Sequence, residues 1–334
     1  MTSLEKSILA TVAYYDVLDR PLTGWEVFKY LILKNRELAI GLKEVLTLLG
    51  NSDELDKFIG QNNGFYFLKN RGNIIAERIE RQKISAQKWK KSKLAVKLLQ
   101  MVPFIRLVIL SGSLAMDNAK KNSDIDLLIV AKSGRIWTCR ALVSLLVHLL
   151  GKRRHGALTK DRLCLNHYLT DKSLKIPFQS LYNAQTYAHL TPVLEIENGL
   201  YRQFQKQNNW LNDYLLFYPS ENKGYLKKIQ LSRLAAFLRK LREFILDGKL
   251  GDKLELFLKK IQAERIKKDP LTYRAGGRVV VDDSQLEFHP DSPEKNILEK
   301  YNRKIKRLGF DETDLEKDSG LTPPGGVDNL INFD

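Results

Sequence analysis

Two apolar, β-rich runs, Ile105 to Leu110 and Ile125 to Val130, flank a turn of small and polar residues, and this arrangement constrains the chain more than any other part of it. Runs this short, bounded by turn residues, match covered strands better than helices. Ser111-Gly112-Ser113 follows the first run, and Asp124-Ile125-Asp126 opens the second. Alternate residues of a strand face one way, so Asp124 and Asp126 project together while Ile125 and Leu127 enter the core. Two converging carboxylates repel unless positive charge lies between them, and a hard divalent cation such as magnesium supplies it with the oxygen ligands it prefers. Gly112 permits close backbone approach, and the Ser113 hydroxyl with neighbouring N–H groups can hold a triphosphate. A helix over 135–150 and a strand from Arg162 to Leu169 follow, an order that predicts an α+β fold with a mixed sheet and flanking helices.

The segment from Leu110 to Val130 resembles the signature of the DNA polymerase β-like nucleotidyltransferase superfamily: Gly-Ser after a hydrophobic run, a spacer, then Asp-hydrophobic-Asp-hydrophobic. The resemblance implies that Asp124 and Asp126 are catalytic ligands of two divalent ions, Mg2+ or Mn2+, and that Gly112 and Ser113 contact the phosphates of a nucleoside triphosphate, ATP by preference. It further implies transfer of a nucleoside monophosphate to a hydroxyl, with two-metal clamping of attacking and leaving oxygens and release of pyrophosphate. The acceptor is open between RNA, protein and a small molecule. That superfamily usually adds a third carboxylate from a later strand. Here the strand offers Asn166, whose carbonyl oxygen can reach a metal but which cannot take a proton. Asp161, Glu195 and Glu197 are the other candidates for the third acid. A looser likeness to bacterial nucleotidyltransferase sequences extends over Leu181 to Leu215.

Upstream, apolar spacing predicts a helix over residues 4–18. Thr23 with Glu26 forms a capping-box pattern for a second helix through Leu33, and a third covers 38–49. Gly64 to Leu68 reads as a strand, Asn70 to Asn73 as a turn, and Ile74-Ile75 as a short return. Together these predict a winged-helix-like domain over 1–76. Its third helix offers only Lys43 as a basic residue, which favours a protein-interaction module over base-specific DNA reading. Residues 77–100 form a basic helical connector, open between a solvated face and a phosphate-tracking one. The catalytic domain is set at 101–180 and a helical region at 181–310, with a β-like run at Val279-Val280-Val281. A Gly- and Pro-containing tail over 311–334 is expected to be disordered.

A net charge of +16 on 334 residues creates a field that attracts polyanions, so nucleic acid through a basic surface is a candidate partner. The two cysteines, Cys139 and Cys164, exclude a disulfide framework and the usual thiolate zinc site. The apolar stretch from Ile136 to Leu150 contains Arg140 and is shorter than a membrane span, and the N-terminus lacks signal-peptide character, so a cytoplasmic protein without membrane attachment is expected. The five histidines show no zinc spacing and read as surface or satisfied core residues; Lys152-Arg153-Arg154 and Lys160 are open between facing phosphate and capping a helix C-terminus, with the cap favoured. Two alternatives to catalysis remain: an inactive nucleotidyltransferase fold that binds nucleic acid or senses nucleotide, and an interaction module paired with a partner protein.

Overall fold

The computed structural model describes residues 1–33, 40–156, 158–219, 227–274 and 277–319. The chain runs α1 (Ser3–Val17), β1 (Leu22–Thr23), α2 (Gly24–Lys29), α3 (Leu42–Asn51), α4 (Asp53–Asp56), β2 (Ile59–Asn62), β3 (Phe65–Leu68) and α5 (Ile74–Leu98). The middle contributes β4 (Ile105–Leu110), α6 (Gly112–Ala115), β5 (Ile125–Ala131), α7 (Ile136–Leu149), β6 (Leu163–Thr170), α8 (Leu181–Ala188), β7 (Thr191–Glu195) and α9 (Leu200–Gln207). Last come α10 (Arg233–Leu246), α11 (Lys249–Lys268), β8 (Arg278–Val281), β9 (Gln285–His289) and α12 (Glu294–Arg307).

Six strands form one mixed sheet in the order β7-β4-β5-β6-β9-β8. β4 and β5 are antiparallel neighbours with Leu110 opposite Leu127, and β5 and β6 are parallel, joined by α7. Both faces are covered, as the unbroken apolar strands require. Val108, Leu110, Ile125, Leu127 and Ile129 pack on one side, with Val96 of α5, Trp137 and Val143 of α7, and Ile266 of α11. Leu107, Ile109, Leu128 and Val130 pack on the other, in a core shared with Ile8 and Tyr14 of α1, Leu181 of α8 and Tyr301 of α12. Asp124 and Asp126 have the same parity as Leu128 and Val130, so they belong to this second face.

At the N-terminus, α1, α2 and α3 accompany a three-stranded antiparallel sheet in the order β1-β3-β2. Capping boxes at Thr2/Glu5 and Thr23/Glu26 start α1 and α2. α2 ends at Lys29 rather than Leu33, because the backbone from Ile32 onward turns to pair with another segment: Leu33 N–H donates to Tyr214 O at 2.8 Å and Ile32 bridges to Leu215. The beginning of the expected third helix, residues 38 and 39, lies outside the described residues. The expected return strand at Ile74-Ile75 is instead the first turn of α5, and the partner of β3 is β2, which precedes it.

The region from 181 to 310 is not all helical. It supplies β7, β8 and β9, half of the strands of the large sheet. Pro192 lies opposite Ile109 on β7, an edge strand, where a residue without an N–H is tolerated. β9 alternates Leu286 and Phe288 toward one core with Gln285, Glu287 and His289 on the other side. Residues 311–319 return to the body: Asn302 Nδ2 donates to Glu316 O at 2.7 Å, and Ser319 N–H donates to Glu294 Oε1 at 2.7 Å. The rest of the expected tail, 320–334, lies outside the described residues. No described helix is long and apolar enough to cross a membrane.

Candidate metal and nucleotide site

Leu110 ends β4 and the chain turns sharply into α6, with Ser111 N–H donating to Asp126 O at 3.0 Å. Gly112 sits at φ +62°, where a side chain is disfavoured, and a Cβ there would meet Asp126 Oδ2 at 2.2 Å. The glycine is therefore required twice, by conformation and by contact with the carboxylate. Ser113 follows, partly exposed, and its carbonyl accepts from Asn118 N–H at 2.8 Å.

The loop between the two halves of the motif is held by α5. Arg81, Ser85 and Lys88 occupy one face of that helix at successive turns. Arg81 Nη1 donates to Asn118 Oδ1 at 3.2 Å, Ser85 Oγ accepts from Ala119 N–H at 3.1 Å, and Lys88 Nζ donates to Lys121 O and Ser123 O at 2.9 and 2.8 Å. Arg78 is also buried, over the Phe65 ring and against Glu26. Arg78, Arg81 and Lys88 are thus neither a solvated nor a phosphate-tracking face, because each is consumed by internal partners. Lys83, Lys90, Lys93 and Lys97 remain exposed.

Oxygens of Asp124 and Asp126 and the sulfur of Cys164 lie within 4.8 Å of one another. Cys164 arrives by strand register, directly opposite Asp126 on β6. Burial, then the charge of Asp124, pushes the Asp126 carboxyl up to about 7 against the pull of Arg154. Arg154 Nη1 donates to Asp124 Oδ2 at 2.5 Å and to Cys164 Sγ at 3.4 Å. Arg154 therefore does not cap a helix C-terminus: α7 stops at Leu149, and the chain doubles back through Arg153, which bridges to Leu163. Burial, with the two aspartates, also raises the Cys164 thiol well above its ordinary range, so it stands there neutral.

The donor set fits a hard divalent cation. Two carboxylates share one spot, one of them held partly protonated for want of positive charge, and cation binding relieves both the repulsion and the desolvation. Cys164 is a poor ligand for magnesium and no substitute for a third carboxylate. Asn166 lies two residues along β6, beside a register shift that re-aims the side chains there, and its amide meets His289 Nε2 at 3.0 Å. Of the other candidates for a third acid, Asp161 is held by Lys88 and Lys91, Glu195 accepts from Tyr201 N–H and faces Lys228, and Glu197 faces Arg106. None of these three belongs to the Asp124–Asp126 group among the described residues.

A cavity of about 290 Å³ opens from this point, bordered by Gly112, Asp126, Arg154, Asn166, Tyr182 and His289. Its far wall carries a buried ion cluster in which Arg278 Nε lies 2.7 Å from Glu287 Oε1 and His289 Nδ1 lies 3.5 Å from the same oxygen. Burial, outweighing the nearby Glu287 charge, holds His289 down at about 3, so it faces the cavity as a neutral ring. Sequence reasoning passed over Arg278, and it considered Arg154, Cys164 and His289 without placing them at the site. The alternation Gln285-Leu-Glu-Phe-His289 carried the signal for β9, and the basic run Lys152-Arg153-Arg154 after the catalytic strands carried the one for Arg154, although the cap was favoured there.

Residues 91–209 match the family model for the nucleotidyltransferase domain, from the second half of α5 to just past the end of α9. The chain therefore contains a polymerase β-like nucleotidyltransferase domain, and both halves of the Gly-Ser and Asp-Ile-Asp motif fall inside it. No curated protein and no solved structure matches the chain. β8, β9, Arg278 and His289 lie beyond the matched span, although they complete the sheet and the cavity.

Proposed function

We propose that the protein transfers a nucleoside monophosphate from a nucleoside triphosphate, ATP by preference, to a hydroxyl acceptor with release of pyrophosphate. The observation that carries this reading is the convergence of the Asp124 and Asp126 carboxylates against the bare backbone of Gly112, within a nucleotidyltransferase domain. Asp124 and Asp126 would hold magnesium or manganese, with Asn166 as a further oxygen donor; bound there, the ions neutralise phosphate charge and lower the cost of the in-line displacement. The remaining work belongs to the chain itself. Gly112 and Ser113 receive the terminal phosphates along a turn that has no side chain in the way. Arg154, with its side chain 45% exposed, exchanges Asp124 for a phosphate oxygen when nucleotide arrives. The cavity walls of β6, α8 and β9 exclude water from the reacting end.

The absence of an acid at Asn166 and Cys164 supports a second reading, in which the fold binds nucleotide without transferring it. The order helix, short strand, three helices and antiparallel hairpin at the N-terminus supports a winged-helix module in either case. The test is incubation with each labelled nucleoside triphosphate and magnesium or manganese, in cell extract and with purified tRNA. Transfer of label by the wild type and its loss in the Asp124→Ala, Asp126→Ala double variant is the expected result. Metal-dependent nucleotide binding with no label on any acceptor would favour the sensing reading, and full activity in the double variant would remove the site assignment.

A further inference from the structure

α10 is mounted with its polar side inward. Ala235 and Arg239 are buried, Arg239 Nη1 donates to Gln100 O at 3.3 Å, and Glu243 Oε1 accepts from Phe104 N–H at 2.7 Å and from Arg106 at 2.8 Å. Its outward side is Leu234, Phe237, Leu241 and Phe244, with 69, 62, 47 and 84% of each surface exposed. Those positions step by three and four residues, the spacing of a seam that seats another helix.

α11 repeats the pattern with Leu250, Leu254, Phe257 and Ile261. Its inner side is also polar: buried Glu255 accepts from Trp137 and Thr138 N–H at 2.9 and 2.8 Å, supplying the cap that the side chain of Arg135, at the start of α7, does not. At the corner, Asp247 pairs with Lys132 at 2.6 Å and Asp252 with Arg135 at 2.5 Å. A Cβ on Gly251 would meet Leu246 O at 1.6 Å, so the two helices meet in close contact there. These contacts fix which sides face the body, and the apolar sides are left on the surface.

The charges beside the seams identify the occupant. Immediately before each residue that opens a heptad, at Leu234, Leu241, Leu254 and Ile261, stands a basic residue: Arg233, Lys240, Lys253 and Lys260. All four are exposed. Residues in this position set partner choice between packed helices. A second copy would place lysine against lysine. Of the five acids of the hairpin, Glu243, Asp247, Asp252 and Glu255 are engaged with the body, which leaves Glu264, near the end of α11, as the one acid beside the seams without such a contact among those described.

We propose that the outward sides of α10 and α11 dock an amphipathic helix of a partner protein, with an apolar seam flanked by acidic residues. A large exposed apolar area rimmed by charge is the usual mark of such a surface, and the run of three- and four-residue steps suits a helix, with Ile245 and Leu256 exposed beside the seams.

The test uses the full chain and two synthetic heptad peptides with leucine along the seam, one flanked by glutamate and the other by lysine. Fluorescence anisotropy should show the glutamate peptide binding at least about tenfold more tightly than the lysine peptide, as several aligned charge pairs would give. Phe237→Gln with Phe244→Gln should abolish binding without changing thermal stability, since both rings are exposed. Reversal of Arg233, Lys240, Lys253 and Lys260 to glutamate should reverse the preference. Equal binding of both peptides, or of neither, overturns the proposal. So does dimerisation of the chain alone that Phe244→Gln abolishes, or sedimentation with phosphatidylglycerol vesicles that the same change abolishes.

Discussion

At the scale of single residues, Gly112 and Asp126 form one unit. Alanine at 112 must both adopt a left-handed backbone and push a buried carboxylate aside, at a cost of about 1–3 kcal/mol in backbone strain alone. Gly112→Ala is expected to lose metal-dependent nucleotide binding in calorimetry while keeping its far-ultraviolet circular dichroism. This pair was legible in the sequence because backbone geometry and ligand chemistry both leave traces in residue type. Arg154 was not, because its role depends on a chain reversal after α7 that brings it back to Asp124. His189 offers a separate test. Burial, with Arg20 nearby, holds its ring down at about 3, stacked on Tyr30 at 3.9 Å. A histidine whose folded value lies below its ordinary one is neutral in the native state and binds a proton on unfolding. The contribution of His189 to stability should therefore be complete above about pH 6.5 and decline as pH falls from there toward 3. Glu26 adds to the loss below its ordinary value of 4.5: burial opposes its ionisation, but Arg20 and Arg78 hold it at about 2. Asp126, raised to about 7, acts in the opposite sense over this range, so the test is the difference: between pH 7 and 4 the melting temperature of His189→Asn should lose less, or gain more, than that of the wild type.

At the scale of elements, α5 is the clearest case of a helix whose composition concealed its task. Eight basic residues suggested a connector or a phosphate track, whereas three of them turn inward and two of those hold the motif loop. Periodicity could place the helix but not say which lysine found an internal partner. Lys88 has 3% of its side chain exposed and satisfies two loop carbonyls and Asp161. Lys88→Met should destabilise the protein by about 3 kcal/mol, the usual cost of stranding a buried partner. It should also weaken nucleotide binding, because the loop that carries Asp124 loses its anchor. Chemical denaturation and nucleotide titration of the same variant check both effects. The strands of the C-terminal half were obscured for another reason. β7 contains a proline and β9 alternates polar and apolar residues, so neither has the unbroken apolar run that marked β4 and β5.

At the scale of the whole molecule, the N-terminal helices and the large sheet share one core: Tyr14 of α1 meets Tyr301 of α12 ring to edge at 5.7 Å, and Tyr15 hydroxyl donates to Gln185 of α8 at 2.7 Å. Sequence boundaries drawn at composition changes could not reveal this, since a shared core is a property of contacts far apart in the chain. Differential scanning calorimetry should show one cooperative transition for the whole chain rather than separate transitions for its N-terminal and catalytic parts. A fragment beginning at Ile74 should be insoluble or lack a cooperative melt, with the apolar face of the sheet uncovered.

The strand order also has a consequence for how the protein is made. β9 and the turn after it wall the cavity, yet they are translated long after both aspartates. A nascent chain that has emerged as far as α11 carries the metal-binding motif on a sheet that ends at β6, without Arg278, Glu287 or His289. Competence to enclose a ligand is deferred until β8 and β9 have been made, and a chain truncated before β8 would carry the motif without the pocket.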